Sequence, residues 1–283
     1  MKDKPKVIPD QSQQTPGSEE NMHPQPEVIR KNYRGSDKLK KKVALITGGD
    51  SGIGRSVAVH FAREGADICI IYLKEDEDAL KTKSMVEAEG RQCLVIAGNI
   101  KDKKFCDNAV EKTKKKFGSI NILVNNAAEQ HEADSLEELD LSLMEETFGT
   151  NVFGMFYITQ KVLADMKAGD SIINTTSITS YRGSNHLIDY ASTKGAITSF
   201  TRSLSLNLAN RNIRVNGVAP GPIWTPLIPS TLKNVSEFGK KTPMGRVGQP
   251  SEVGPAYVFL ASEDASYITG HVIHINGGDF TSS

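Results

Sequence analysis

From residue 42 onward, short apolar segments alternate with longer amphipathic stretches, and this alternation constrains the fold more than any other feature. Segments with strand character lie at residues 43–47, 67–72, 92–97, 120–125, 171–175, 214–218 and 271–275. After the first segment, Ile53, Val57 and Phe61 recur at a helical spacing of four residues, and Gly65 is placed to end that helix. Strands that alternate with helices form βα units with right-handed crossovers. The sequence therefore predicts an α/β protein with a doubly wound, mostly seven-stranded parallel sheet.

Residues 1–40 have a different composition and are predicted to lie outside this domain. They are rich in Pro, Gln, Glu and Lys and poor in aliphatic residues, with prolines at positions 5, 9, 16, 24 and 26. Such a segment cannot build a core of its own. We expect a polar, Pro-rich extension at residues 1–40, either disordered or extended across a neighbouring subunit, followed by one domain at residues 41–283.

Charge and hydropathy exclude several classes of protein. The 283 residues are 38% hydrophobic and 24% charged, as in ordinary globular proteins. Lys+Arg and Asp+Glu are equal at 34 each, so no net positive field would attract nucleic acid or an anionic membrane. No apolar run approaches the length of a membrane span, and the polar N-terminus lacks the apolar region of a signal peptide.

The cysteines and histidines show no metal-ligand spacing. Cys69, Cys93 and Cys106 form an odd set without a C-x-x-C pair, which favours a reduced, cytoplasmic setting. The histidines are scattered, among them His131, His186, His271 and His274. No metal is expected.

The turn after the first predicted strand is rich in glycine. Residues 47–54 are Thr-Gly-Gly-Asp-Ser-Gly-Ile-Gly, with the spacing G-x-x-x-G-x-G at Gly48, Gly52 and Gly54. Glycines let backbone N–H groups approach a phosphate, and the following helix N-terminus adds partial positive charge. The spacing differs from the common G-x-G-x-x-G fingerprint, and a glycine turn can simply reverse the chain. Its position between a strand and a helix favours binding of a nucleotide phosphate.

A tyrosine, a lysine and a serine form a candidate acid–base group. In Tyr190-Ala-Ser-Thr-Lys194 the phenol and the ammonium lie four residues apart, on one face of a helix. Proton transfer by a phenol near neutral pH requires about 3 to 4 kcal/mol in favour of the phenolate, and a nearby cation has the required sign. Ser177 can donate a hydrogen bond to the same substrate oxygen. An isolated Y-x-x-x-K is common on exposed helices, so the rest of the sequence decides.

The stretch at about residues 220–250 is far longer than a usual βα loop. It contains Trp224, the only tryptophan, together with Leu227, Ile228, Phe238 and Met244. Loops at the carboxyl ends of parallel strands line the ligand crevice. We expect an apolar lid over a substrate, and the alternative is a surface subdomain that packs on itself.

Several motifs together, in this order, resemble the short-chain dehydrogenase/reductase family. They are the glycine turn, Asn125-Asn-Ala-Ala128, Asn151, Ser177, Tyr190 with Lys194, and Pro220-Gly221. The resemblance covers about residues 40–280, and the glycine spacing is similar to that of the compact single-domain branch. It implies a Rossmann-type fold. It also implies a homo-oligomer, a tetramer, in which the long apolar helices predicted at residues 143–166 and 190–210 pair between subunits.

The resemblance implies a role for each of four catalytic residues. Tyr190 would be the general acid/base, and Ser177 would orient the substrate oxygen. Lys194 would lower the pKa of Tyr190 and bind the nicotinamide ribose. Asn151 would hold a water that connects Lys194 to solvent.

The resemblance also implies a set of cofactor contacts. Asn99 stands where the family often has Asp, and Ala128 where Gly is usual. The implied cofactor-binding residues are Gly48, Asp50, Ser51, Gly52, Ile53, Gly54, Tyr72, Lys74, Asn99, Ile100, Asn126, Ala127, Tyr190, Lys194, Pro220, Gly221, Ile223 and Thr225.

The choice between NAD and NADP depends on the residues after the second predicted strand. An acid there would bind the ribose 2′-hydroxyl of NAD, whereas a basic residue would accept the phosphate of NADP. Tyr72 stands where the acid is expected, and Lys74 is followed by Glu75 and Asp76. Lys74 favours NADP by a small margin.

The predicted function is an NAD(P)-dependent oxidoreductase that acts on a secondary alcohol or carbonyl. The lack of a clustered cationic site suggests a neutral or modestly polar substrate, such as a polyol, a sugar or a small ketone. Residues 129–131 and 186–188 either border this substrate or belong to solvated loops. A non-catalytic dinucleotide sensor and a sugar epimerase or dehydratase are the alternatives. The complete catalytic set argues against the first, and the glycine spacing and missing sugar-binding domain against the second.

Overall fold

Seven parallel strands form a single sheet in the computed structural model, which describes residues 8–281. The strands are β1 (Val43–Thr47), β2 (Asp67–Tyr72), β3 (Cys93–Ala97), β4 (Ile122–Asn125), β5 (Ser171–Thr175), β6 (Arg214–Pro220) and β7 (Val272–Ile275). Their order is β3-β2-β1-β4-β5-β6-β7, and every neighbouring pair is parallel. The predicted doubly wound, Rossmann-type sheet is confirmed. Because β1 lies between β2 and β4, the order reverses there, and a crevice opens at the carboxyl ends of β1 and β4.

Helices cover both faces of this sheet. They are α1 (Gly52–Arg63), α2 (Asp76–Ala88), α3 (Lys103–Phe117), α4 (Leu141–Phe148), α5 (Met155–Leu163), α6 (Thr179–Arg182), α7 (Ile188–Leu208), α8 (Leu227–Thr231) and α9 (Pro250–Ala261). Side chains of a strand alternate between faces. Ala44 and Ile46 of β1 accordingly pack with α1 and α9 in one core cluster, whereas Leu45 packs with α3 and α5 in the other.

The long helix predicted at residues 143–166 is divided into two helices. A π-helical segment, Gly149–Gly154, joins α4 to α5 and contains Asn151. Gly154 permits close packing there, because a Cβ at this position would lie 2.8 Å from Cγ1 of Ile100. Widened helical turns of this kind are frequent at functional sites.

Residues 8–39, which we call the N-terminal strap, pack along the surface of their own chain. The Gln13 N–H donates to Pro229 O (2.8 Å), and the Ser251 N–H donates to Glu27 O (2.8 Å). Near its end, the backbone N–H of Ser36 donates to the Glu64 carboxylate (2.8 Å). The sequence left open whether this segment is disordered or lies across another subunit, and in the structure residues 8–39 make these contacts within their own chain. Residues 1–7 of the predicted extension, Pro5 among them, and residues 282–283 lie outside the described range.

Trp224 anchors the strap. Its indole is fully buried, donates to Pro24 O (2.7 Å) and packs in a cluster with Ile8 and Met22. A lone tryptophan in a long loop was expected to help cover a substrate. Its contacts show that it holds the N-terminal segment instead.

No helix between residues 8 and 281 is both long and apolar enough to cross a bilayer. Within the same range, no three His, Cys, Asp or Glu side chains are grouped so that they could hold a metal ion. Cys69, Cys93 and Cys106 are buried free thiols.

Candidate active site

A cleft of about 1020 Å³ opens at the carboxyl ends of the strands, where the strand order reverses. Of the predicted catalytic and cofactor-binding residues, only Gly54 and Asn151 do not line it. Those that do are Gly48, Asp50, Ser51, Gly52, Ile53, Tyr72, Lys74, Asn99, Ile100, Asn126, Ala127, Ser177, Tyr190, Lys194, Pro220, Gly221, Ile223 and Thr225. Residues far apart in the sequence therefore converge on one cavity, large enough for a dinucleotide and a small substrate.

The glycine turn connects β1 to α1 in a conformation that requires glycine. Gly48 and Gly52 have φ angles of 62° and 53°, in the left-handed region. Gly54 is buried beneath the turn, where a Cβ would lie 1.9 Å from Gly48 O. Gly54 therefore shapes the turn, while Gly48 and Gly52 line the cleft.

Asn126, at the end of β4, holds the turn against the sheet. Its Nδ2 donates to Thr47 O (3.2 Å) and to Gly48 O (2.9 Å). The Thr47 hydroxyl in turn accepts from the backbone N–H of Asn126 (3.0 Å) and of Ala127 (3.1 Å). These bonds join the two loops at the point where the crevice opens. The resulting cradle fits a dinucleotide phosphate.

Tyr190 and Lys194 lie one turn apart near the start of α7, facing Ser177 after β5. The Ser177 hydroxyl is a hydrogen-bonding neighbour of the Tyr190 phenol. Lys194 is 1% exposed, and its Nζ lies 5.4 Å from the centroid of the Tyr190 ring. The same Nζ donates to Thr175 O at the end of β5 (2.9 Å). A phenol, a hydroxyl and an amine thus meet in one water-poor corner of the cleft.

Burial controls the titration of this pair. Desolvation raises the pKa of Tyr190 to about 12, although the Ser177 hydrogen bond acts in the opposite direction. Burial also lowers the pKa of Lys194 to about 7. We expected Lys194 to lower the pKa of Tyr190, and this structure shows the opposite balance. The reason is that the amine faces the ring and bonds to Thr175 O, while both groups lose the solvation that favours their charged forms.

Asn151 is buried beside the cleft and does not line it. Its Oδ1 accepts from the Glu129 N–H (2.8 Å), and its Nδ2 donates to Glu129 O (2.9 Å) and to the Thr193 hydroxyl (3.0 Å). Both amide hydrogens are therefore used within the protein. The side chain connects the loop after β4 to α7, immediately before Lys194.

The far end of the cleft contains the residues that would distinguish NAD from NADP. The Tyr72 hydroxyl donates to Asp76 Oδ1 (2.6 Å), which fixes the phenol at the end of β2. Lys74 and Asp50 both line the cleft here. Burial raises the pKa of Asp50 to about 6, so this carboxyl is less acidic than an exposed one.

The other end of the cleft is strongly polar. Carboxylates from several loops surround it, contributed by Glu129, Glu132, Asp134, Glu237 and Asp279, together with the cations Arg182, Lys233 and Lys241. Of the two groups whose position was uncertain from sequence, Glu129, Gln130, His186 and Leu187 line the cleft, and His131 and Ile188 do not.

The region expected to form a lid contributes part of the cleft wall. Leu227, Ile228 and Phe238 line the cleft, whereas Trp224 and Met244 do not. The Gln130 side chain donates to the Thr231 hydroxyl (2.8 Å), which connects α8 to the loop after β4.

The strap also lines the cleft, through Thr15, Pro16 and Gly17. No periodicity or motif in this polar segment indicated such a role. The pairing of Thr15 with Ser230 O (3.0 Å) joins residues more than 200 positions apart, which only the folded chain reveals.

Comparison with known proteins agrees with this geometry. The family model described as enoyl-(acyl carrier protein) reductase matches residues 48–279, well over half of the chain. Glucose and ribitol dehydrogenase of Daucus carota is 48% identical, over 95% of this chain and 96% of its own. NADPH-dependent aldehyde reductase 1, chloroplastic, of Arabidopsis thaliana is also 48% identical, over 93% of this chain and 94% of its own. The crystal structure of a short-chain dehydrogenase from Burkholderia cenocepacia in complex with NADP has a TM-score of 0.81 at 30% identity, covering 86% of this chain and 99% of that one.

Proposed function

The chain belongs to the short-chain dehydrogenase/reductase family, and from this we propose that it interconverts a polar carbonyl compound and its alcohol with NADP(H), using Tyr190 as the acid/base. The observation that carries the proposal is the convergence of Ser177, Tyr190 and Lys194 on the cleft that begins at the glycine turn.

The glycine turn and the ends of β4 and β6 fit a dinucleotide. Gly48, Ser51, Ile53 and Asn126 would hold its phosphates and adenosine end, with Thr225 beside them. A nicotinamide cofactor supplies or accepts the hydride in this reaction class. The chain itself has to bind and orient the cofactor and the substrate, and it has to move the proton.

Tyr190 is proposed to exchange the proton with the substrate oxygen. In the direction of reduction a neutral phenol is the required donor, and its raised pKa keeps it protonated at neutral pH. Ser177 would hold the same oxygen through its hydroxyl. A pKa of Lys194 near 7 allows the amine to take up and release a proton at neutral pH. It would therefore return a proton to Tyr190 after each turnover.

Asn151 is proposed to support this proton transfer by position. Its bonds to Glu129 and Thr193 fix the loop after β4 relative to the first turns of α7. Holding a water that connects Lys194 to solvent remains a prediction for this residue. Its remaining Oδ1 lone pair is the side-chain group left to accept from such a water.

The preference for NADP is assigned to Lys74. It lines the cleft, as does Tyr72 two residues earlier. The Arabidopsis reductase is named as NADPH-dependent and the Burkholderia structure contains NADP, which supports the same cofactor here. Lys74→Glu should weaken NADPH binding at least about tenfold more than NADH binding, because it replaces an attraction to the 2′-phosphate by a repulsion. Equal effects on the two cofactors in a fluorescence titration would refute the role.

The substrate is proposed to be a polyol, a sugar or a small polar aldehyde. Hydroxyl groups of such a substrate can form hydrogen bonds with the many carboxylates, amides and hydroxyls at the strongly polar end of the cleft. The name of the Daucus carota relative supports this class. The five carboxylates named at this end outnumber its three cations, so their net negative charge would disfavour the phosphate that tethers an acyl chain to a carrier protein, the substrate that the family model's name implies.

The test is a spectrophotometric screen of alcohols and carbonyl compounds with both cofactors. We expect turnover of polyhydroxylated or small polar substrates with NADP(H) and little turnover of acyl thioesters. Turnover confined to acyl thioesters would overturn the substrate assignment. Reversible cofactor binding without turnover of any substrate would favour the dinucleotide sensor.

A homotetramer in the cytoplasm completes the proposal. Phe153, Phe156 and Leu206 expose 52%, 47% and 80% of their surface on the π segment, α5 and α7, the helices expected to pair between subunits. Exposed apolar patches of this kind mark interfaces. A monomeric sedimentation value at micromolar protein would contradict the tetramer.

A further inference from the structure

The N-terminal strap contacts the glycine turn through Glu19. Thr15, Pro16 and Gly17 form part of the cleft wall, and four residues after Thr15 the chain reaches Glu19, which does not line the cleft. Glu19 is 2% exposed, although it belongs to a polar extension. A buried carboxylate needs partners, and all of those of Glu19 lie at or near the turn.

The Glu19 carboxylate makes two short, charge-assisted contacts. One oxygen accepts from the backbone N–H of Gly52, the first residue of α1 (2.6 Å). The other accepts from Nη1 of Arg55 (2.6 Å). A carboxylate at a helix N-terminus is favoured by the helix dipole and by the unpaired N–H groups there.

Arg55 extends this arrangement to the other side of the turn. Its Nε donates to Asp50 O (2.9 Å), and its Nη2 donates to the Asp78 carboxylate (2.8 Å). The Thr82 hydroxyl also donates to Asp50 O (2.7 Å). The guanidinium is thus consumed in structural bonds, so this buried cation at the phosphate turn is not itself placed to bind a phosphate.

Two backbone groups of the turn are therefore held by buried side chains, the Asp50 carbonyl by Arg55 and the Gly52 N–H by Glu19. Neither Glu19 nor Arg55 lines the cleft, so the carboxylate does not occupy the place of a ligand. A turn with two glycines at positive φ has many conformations when unsupported, and preorganising a binding loop reduces the entropy lost on binding.

We propose that Glu19 is a positioning residue for the cofactor, which preorganises the phosphate-binding turn through Gly52 and Arg55 and makes the strap a working part of the dinucleotide site. This inference rests on the proposed function for the identity of the ligand. Glu19 and Arg55 lie outside every motif of the family resemblance.

The test measures two properties of the full-length protein. Titration with NADPH gives the dissociation constant, and hydrogen exchange without any cofactor reports the order of residues 48–54. For Glu19→Ala we expect an increase of about tenfold in the dissociation constant, the size expected if about one residue of the turn has to be ordered on binding. Exchange in the turn should accelerate, and the substrate KM at saturating NADPH should not change. Glu20→Ala is the matched control, because Glu20 has the same charge and is exposed.

Two further variants decide the matter if Glu19→Ala does not fold. Glu19→Gln retains the volume and loses the charge, so an increase of about threefold is expected. Gly17→Ala places a Cβ 2.5 Å from Pro226 O, which should displace the strap from α8. It should therefore also increase the dissociation constant of NADPH.

The proposal is overturned if the dissociation constant of Glu19→Ala stays within twofold of the wild-type value, or if it falls, as a carboxylate that blocks the site would require. It is also overturned if exchange in the turn does not change. A wild-type protein that binds neither NADPH nor NADH would refute the proposed function, and the exchange experiment would still decide whether Glu19 orders the turn.

Discussion

Replacing Lys194 should stabilise the fold while it abolishes catalysis. Burial lowers the pKa of Lys194 from 10.5 to about 7 in the folded protein. The unfolded chain therefore binds the proton more strongly, and this opposes folding at every pH below about 10.5, with its full effect below about 7. At 1.36 kcal/mol for each pH unit, the unfavourable contribution at pH 6 is about 5 kcal/mol.

Lys194→Met removes this contribution and keeps the long apolar part of the side chain. It also leaves Thr175 O without its donor, a loss of about 1 to 3 kcal/mol. We therefore expect the variant to be about 2 to 4 kcal/mol more stable than the wild type at pH 6. Above pH 7 the folded-state lysine is neutral, whereas the unfolded chain keeps its proton up to about pH 10.5. The cost of removing that proton falls as pH rises, so the advantage of the variant should fall by about 3 kcal/mol by pH 9.5.

Urea denaturation at pH 6 and pH 9.5 measures the difference in stability between the variant and the wild type and its change with pH. Lys115→Met is the control, because this exposed lysine on α3 should give a difference near zero at both values. The reasoning would be refuted if Lys194→Met were less stable than the wild type at pH 6, or if its advantage were the same at the two pH values.

Two further predictions concern the turn and the thiols. Gly54→Ala should weaken NADPH binding at least about tenfold, because its Cβ would lie 1.9 Å from Gly48 O. Gly195→Ala on α7 is the control, since its Cβ would meet nothing within 4 Å and should leave binding unchanged. Equal dissociation constants for the two variants would contradict the assigned packing. Burial raises the pKa of Cys69, Cys93 and Cys106 to about 12. A thiol reagent at pH 8 should therefore label none of them in the native protein and all three in urea. Rapid labelling of the native protein would show that the core opens.

The sequence predicted the parts of this structure that depend on local patterns. The bounds of β1, β2 and β5 agree with the predicted ones, because each of these buried parallel strands has aliphatic residues at its centre. Almost all of the predicted site residues converge on the cleft for a related reason, since the carboxyl ends of parallel strands meet at one edge of the sheet.

Long-range pairing and side-chain environment could not be predicted in this way. The apolar periodicity around Asn151 is the same for an α-helix and for the π segment that the structure contains. Trp224 is an apolar residue in a loop, and nothing local indicates that Pro24 is its partner. The pairing of Glu19 with Arg55 depends on where the extension crosses α1. The titration of Lys194 likewise depends on burial, which the spacing to Tyr190 does not reveal.

Tyr190→Phe isolates the proton transfer that we propose for Tyr190, since it removes one hydroxyl and keeps the ring beside Lys194. Turnover of the best substrate at saturating NADPH should fall at least about 100-fold, while the dissociation constant of NADPH should change less than about threefold. A variant that binds NADPH normally and retains wild-type turnover would show that Tyr190 does not transfer the proton.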